Sequence, residues 1–373
     1  MARGLFLLCC SLLGPAAAAA QLPGMVPFDV RASKGPTPVR SGDRDHLVYE
    51  LRVTNLARRG GAIKRLEARV GGTVLAAWEG DSLRRHTTRI GESGDGRVIP
   101  AGRQSLVYLH VAVAPGAAPA AIEHRFFVTH ADSLDAGSVD TLSGVTVPVA
   151  RQTAVVVRSP LKDGPWVAVN GPGNASGHRR TVIPLEGLAR IPQRFATDWI
   201  KLGPDGQGWK GDSTKNENWY GYNMPLLAVA SGTVVAVKDG IIENVPFSPK
   251  MAVPITLETV GGNHVILDLG NGNYGFYAHI IPGTIPVKVG DKVKAGQEIG
   301  RLGNSGNSTA PHLHFHLGDA NSPLGTEGIP FLIEEYAYQG RVTNFLGAWT
   351  PSGTTVDKKR ELPLENEVVR FKP

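Results

Sequence analysis

Three histidines alternate with apolar residues in the run Pro311-His312-Leu313-His314-Phe315-His316. Successive side chains of a β-strand point to opposite faces. A strand here puts His312, His314 and His316 on one face and Leu313 and Phe315 on the other. The first face reads as chemistry and the second as core. Neutral imidazole is a common zinc ligand, and a neighbouring imidazole can give or take a proton near neutral pH. A lone histidine is more often a core or surface residue. Three on one face, after a loop of Gly, Asn and Ser, point to a site.

The rest of the chain must position that strand. Its 373 residues suit two domains rather than one. The 46 glycines and 27 prolines favour turns and short strands over long helices, so the fold reads as mainly β. Residues 21–157 carry short strand-like runs, such as 47–54, 104–113 and 124–130, separated by Gly/Pro/Asp clusters. That spacing suits a β-sandwich-like domain. Its histidines, His46, His86, His110, His124 and His130, are scattered and read as structural. Residues 158–173 hold Pro160, Gly164, Pro165, Gly171 and Pro172 and read as a connection. A second, antiparallel β domain extends over 158–345. There, 227–237 reads as strand, tight turn, strand, and 270–275 reads as the turn of a hairpin. Residues 346–373 are polar and charged and read as an extended or fraying tail.

Residues 1–20 read as a secretory signal peptide. Arg3 precedes the apolar run Leu5 to Leu13, and Ala16 to Ala20 offer a small-residue cleavage site. Such a run is too short to span a bilayer, and no later segment reaches spanning length. A mature chain beginning at Gln21 would therefore have no integral membrane segment and a secreted or periplasmic location. Both cysteines, Cys9 and Cys10, fall inside the signal, so disulfides, thiolate metal sites and cysteine nucleophiles are excluded for the mature chain. The formal charge of +6 is mild and spread out, which argues against nucleic acid as a partner.

Several separated segments share one likeness. They are Pro225-Leu226-Leu227-Ala228-Val229-Ala230-Ser231-Gly232, Gly262-Asn263-His264-Val265, Tyr277-Ala278-His279, Val289-Gly290-Asp291 and Gly303 through Phe315. In this order they resemble the M23 (lysostaphin/LytM-like) metallopeptidases, over about 178 to 335. The resemblance implies a compact antiparallel β fold with Zn2+ in a groove, cutting peptide bonds of bacterial peptidoglycan with metal-activated water. It implies that His314 is a metal ligand and that His279 and His312 are catalytic histidines. The early metal motif of that family is His-x-x-x-Asp. Asp198 matches its aspartate, but Arg194 stands where its histidine belongs. A guanidinium has no lone pair for a metal.

A substitute for that histidine lies upstream. Residues 179–184 and 190–195 read as a hairpin turning at Glu186-Gly187. Extending that register sets His178 opposite Phe195, one step from Arg194. The expected metal set is therefore His178, Asp198 and His314. His316 reads as a partner of a ligand rather than a ligand, since such sites need outer hydrogen bonds. His264 reads as structural or groove-lining, and Asp212 and Glu217 as possible rim residues without a role. The expected activity is zinc endopeptidase on peptidoglycan or another peptide substrate. The alternative is a catalytically silent domain that binds the wall or regulates another hydrolase.

Overall fold

Along Arg44–Asn55, Leu47, Tyr49, Leu51 and Val53 alternate with Val48 and Glu50. The first set is buried in a core shared with Leu66, Phe126 and Val128. Period two therefore sends Val48 and Glu50 to the other face. They do not meet water there, because Val48 joins the core of the C-terminal half and Glu50 is 1% exposed. This strand is thus buried on both faces.

The computed structural model describes residues 26–130, 133–135, 138–343, 349–351 and 353–372. The expected signal peptide and both cysteines lie outside the described residues. Two five-stranded sheets form the N-terminal half. One runs Phe28–Ala32, Arg44–Asn55, Gln104–Val113, Thr87–Arg89, and the other Asp140–Pro148, Ala121–Thr129, Gly61–Val70, Thr73–Glu79. Their apolar faces meet as a sandwich. The scattered histidines are satisfied locally. His46 and His110 pair at 2.8 Å, and His124 meets the Tyr49 hydroxyl at 2.7 Å.

A twelve-stranded sheet dominates the C-terminal half. Its centre runs Glu367–Phe371, Asp163–Val169, Thr197–Lys201, Leu313–Gly318, Tyr274–Ile280, Asn263–Asp268, Gly232–Lys238. Two expectations need correction here. Residues 158–173 are not merely a connection, because Asp163–Val169 is an interior strand; Trp166, Val167 and Ala168 are fully buried. The C-terminal stretch does not fray, because Glu367–Phe371 pairs with strands on both sides. Val368, Val369 and Phe371 bury their side chains, which outweighs the charge around them. Among the described residues, no helix is long and apolar enough to cross a membrane.

The hairpin about Glu186-Gly187 has the expected register, Ile183↔Arg190 and Leu185↔Leu188. Both turn residues have positive φ, 53° and 75°, as a type I′ turn requires. Its extent is shorter than expected. Pairing stops at Ile183, and Gly177–Arg180 is one helical turn instead, closed by Arg180 N–H on the Ser176 carbonyl at 3.1 Å. His178 therefore does not sit opposite Phe195 on a strand.

Candidate metal centre

In Thr197–Lys201, the side chains of Thr197 and Trp199 are fully buried and alternate with Asp198. The neighbouring strand sets His314 directly across from Asp198 and Phe315 across from Thr197. On the far side of that strand, Ala278 faces His314 and Phe276 faces His316. Cross-strand partners are close enough for their side chains to touch. His314 Nδ1 lies 2.9 Å from Asp198 Oδ1, and its Nε2 lies 3.0 Å from His316 Nδ1. The His316 ring stacks on Phe276, centroids 4.5 Å apart and 8° from parallel. His314 and His316 are buried almost as deeply as Leu313 and Phe315, at 4% and 3% exposed, whereas His312 is half-buried.

His178 arrives from the helical turn. Its Nδ1 donates to the Asn170 carbonyl at 3.1 Å, which leaves the Nε2 lone pair facing Asp198 Oδ2 at 3.3 Å. Asn170 Nδ2 donates to the same carboxylate oxygen at 2.9 Å. One atom each from His178, Asp198 and His314 lies within 4.8 Å of the other two. Two imidazole nitrogens and one carboxylate oxygen are a donor set that suits zinc and leaves a fourth position open. The residues present fit that ion.

Two further histidines border this cluster. His279 has φ 66°, a rare backbone conformation for a residue with a side chain. Its Nδ1 donates to the Ser305 carbonyl at 2.8 Å. His312 precedes its strand, and its Nδ1 donates to the Ala310 carbonyl at 2.8 Å. The two rings lie 4.8 Å apart, and His312 Nε2 is 3.3 Å from Asp198 Oδ1. The loop carrying Ser305 lies hard against the Gly262 turn. A Cβ on Gly306 would sit 2.2 Å from the Gly262 nitrogen, so this approach needs glycine.

His178, Asp198, His279, His312, His314 and His316 all line one cavity of about 310 Å³, and His264 lines it too. Among the described residues, Asp198 is the only acidic one that lines it, and no Lys, Arg or Glu does. Asp212 and Glu217 do not reach it. Arg194 points away, its Nε donating to Glu50 Oε2 at 2.8 Å. Burial pushes His178 down to about 4, with Asp198 opposing. Burial also holds His279 and His316 well below the usual imidazole range. For Asp198, burial raises the carboxyl, but His178 and His312 outweigh it and hold it well below the ordinary value. The roles of Ser305 and Ala310 escaped the sequence reading, because they act on His279 and His312 through main-chain carbonyls that any residue has; Asn170 was missed although its side chain also meets Asp198.

Residues 220–325 match the model of peptidase family M23. The M23 region contains His279, His312 and His314, while His178 and Asp198 lie upstream of it. Glycyl-glycine endopeptidase ALE-1 of Staphylococcus capitis is 52% identical over 75 residues, 19% of this chain and 20% of the relative. Peptidoglycan DD-endopeptidase ShyA of Vibrio cholerae is 35% identical over 98 residues, 26% of this chain and 18% of the relative. The match therefore spans about a fifth of the length of these curated relatives. A solved catalytic domain, that of a mutant of the prophage-encoded M23 protein EnpA from Enterococcus faecalis, aligns at 25% identity and a TM-score of 0.27. It covers 45% of this chain and 91% of that one.

Proposed function

We propose that this chain is an exported zinc endopeptidase cutting peptide bonds in bacterial cell-wall peptidoglycan. The observation that carries the reading is the convergence of His178, Asp198 and His314 within 4.8 Å, beside His279 and His312 in one cavity. The relatives add the substrate class: one is a peptidoglycan endopeptidase and another a glycyl-glycine endopeptidase. The basic and apolar segment at residues 1–20 supports export. Residues 21–157 serve as an accessory β-sandwich domain and 158–345 as the peptidase domain, which the strands after residue 349 complete.

His178, Asp198 and His314 hold the ion. When bound, zinc supplies Lewis acidity and makes water a competent nucleophile near neutral pH. Asn170 fixes the His178 tautomer and steadies Asp198. His312 takes or orients the proton of the attacking water, since its Nε2 faces the cluster while Nδ1 is held by Ala310. His279, held by Ser305, is placed to stabilise charge on the scissile oxygen or to deliver a proton to the leaving amine. A cavity without Lys, Arg or Glu suits an uncharged stretch of peptide.

The test is zinc content of the purified chain, wild type beside His178→Ala, followed by digestion of peptidoglycan and of a protein substrate. About one zinc per wild-type chain, lost in the variant, with peptidoglycan cleaved, is the expected result. A wild type that takes up no zinc after supplementation would overturn it in favour of a silent wall-binding domain. Cleavage of protein alone would move the substrate away from the wall.

A further inference from the structure

His178 is followed by two arginines, and both leave the cavity for the N-terminal sandwich. Arg179 is fully buried. Its Nε donates to Glu50 Oε1 at 2.7 Å, and one terminal nitrogen reaches the carbonyls of Tyr49 and Leu109, each at 2.8 Å. Those two residues face each other on paired strands of the sandwich. Arg180 donates to Thr88 Oγ1 at 2.9 Å and to the Arg85 carbonyl, and lies 4.9 Å over the Tyr108 ring. The second oxygen of Glu50 accepts from Arg194, the residue standing where the related family has its histidine. One carboxylate from the N-terminal sandwich thus binds both the His178 turn and Arg194.

We infer that Glu50, acting through Arg179, is a positioning residue for the metal ligand His178, so that the N-terminal sandwich completes the metal site. A helical turn of four residues has little stability of its own. The His178 ring itself meets Asn170, Asp198 and, edge-on, His314, but none of these contacts holds the turn that carries it. The guanidinium of Arg179 supplies what the turn lacks, because its fork is pinned at a carboxylate and two carbonyls at once. Arg194 is then an anchor that shares the same carboxylate. The inference rests on the proposal that His178 is a ligand.

Four full-length variants test it: Glu50→Gln, Arg180→Ala, His178→Ala and Asp45→Asn. Asp45 lies on the same strand as Glu50, but its side chain pairs with Arg40 and the Gly116 N–H, away from the turn. Zinc affinity is read by competition with a chromophoric chelator. The visible spectrum of the cobalt(II)-substituted chain reports the ligand set, which a loss of stability alone does not alter. Each measurement is made well below the variant's own melting temperature.

Glu50→Gln should weaken zinc binding about 10- to 100-fold, as loss of a ligand's support typically does. Its cobalt(II) spectrum should shift toward that of His178→Ala. Arg180→Ala should change both in the same direction by less, and it decides the matter if Glu50→Gln does not fold. Asp45→Asn should melt earlier and keep wild-type affinity and spectrum. Wild-type affinity in Glu50→Gln and Arg180→Ala, with metal lost in His178→Ala, would overturn the inference and leave the site reading intact. Full metal retention in His178→Ala would instead overturn the ligand assignment itself.

Discussion

His178, His279 and His312 each give the Nδ1 hydrogen to a main-chain carbonyl, of Asn170, Ser305 and Ala310 respectively. Their Nε2 atoms are thereby turned to the cavity, those of His178 and His312 toward the Asp198 carboxylate. His314 is set the other way, with Nδ1 toward Asp198 and Nε2 toward His316. Tautomer alone does not separate the proposed ligand His178 from His279 and His312, so substitution has to. His279→Ala and His312→Ala should each lower turnover about 100- to 10,000-fold, the usual worth of a general acid or base. Zinc content should stay at the wild-type level, measured on the same samples as initial rates. Zinc lost along with the rate would reassign the residue as a ligand. The alternation from His312 to His316 was legible because strand period two follows from backbone geometry alone. Glu50 was not, because it sits in a run that already reads as strand. Only the burial of both faces of that strand makes its carboxylate matter.

The loop from Gly303 to Ser308 holds His279 without contributing a side chain to the His178, Asp198 and His314 cluster. Asn244 Nδ2 lies within 3.0 Å of three of its carbonyls, and Ser305 Oγ bridges the Asn263 N–H and the Ile280 carbonyl. Gly306 lets the loop approach the Gly262 turn, with φ 75° and no room for a Cβ. Gly306→Ala should therefore cost about 1–3 kcal/mol in stability from the strained backbone. It should also displace the Ser305 carbonyl and lower turnover about 100-fold, as misplacement of about 1 Å can. Zinc stoichiometry should be unaffected, since none of the three donors sits on this loop. Thermal melting, rates and metal content of one preparation check all three, and unchanged turnover would mean the loop does not set His279. At this scale the hairpin register was legible, because Gly187 admits the positive φ that a two-residue turn demands, although Glu186 adopts it too. Where it stops was not. The Gly177–Arg180 turn owes its shape to arginine partners more than 60 residues away, which local sequence does not reveal.

Across the whole molecule, the sandwich and the large sheet are joined through a buried cluster of charge. Glu50 is faced by Arg179 and Arg194, with Glu327 beyond Arg194 and Tyr108 beside Arg179. Burial alone would raise the Glu50 carboxyl, but Arg194 and Arg179 outweigh it and hold it below its ordinary value of 4.5. A carboxylate whose folded pKa is depressed contributes stability that is complete above its unfolded pKa. That contribution is lost as pH falls through the folded one. Glu50→Gln should therefore be destabilised most at neutral pH, by about 3–5 kcal/mol, because two buried guanidiniums lose a shared counter-charge. Its deficit in melting temperature against wild type should hold constant down to about pH 4.5, the ordinary value cited for this carboxyl. It should shrink below that, as the unfolded wild-type chain takes up the proton that the folded chain resists. Paired melting curves from pH 7 to the acid limit of folding measure it. A deficit that stays the same across the acid range would mean that folding does not depress the Glu50 carboxyl, so the two arginines do not favour its charged form. The joint between the two halves would then be held by shape and apolar contact rather than by this ion cluster.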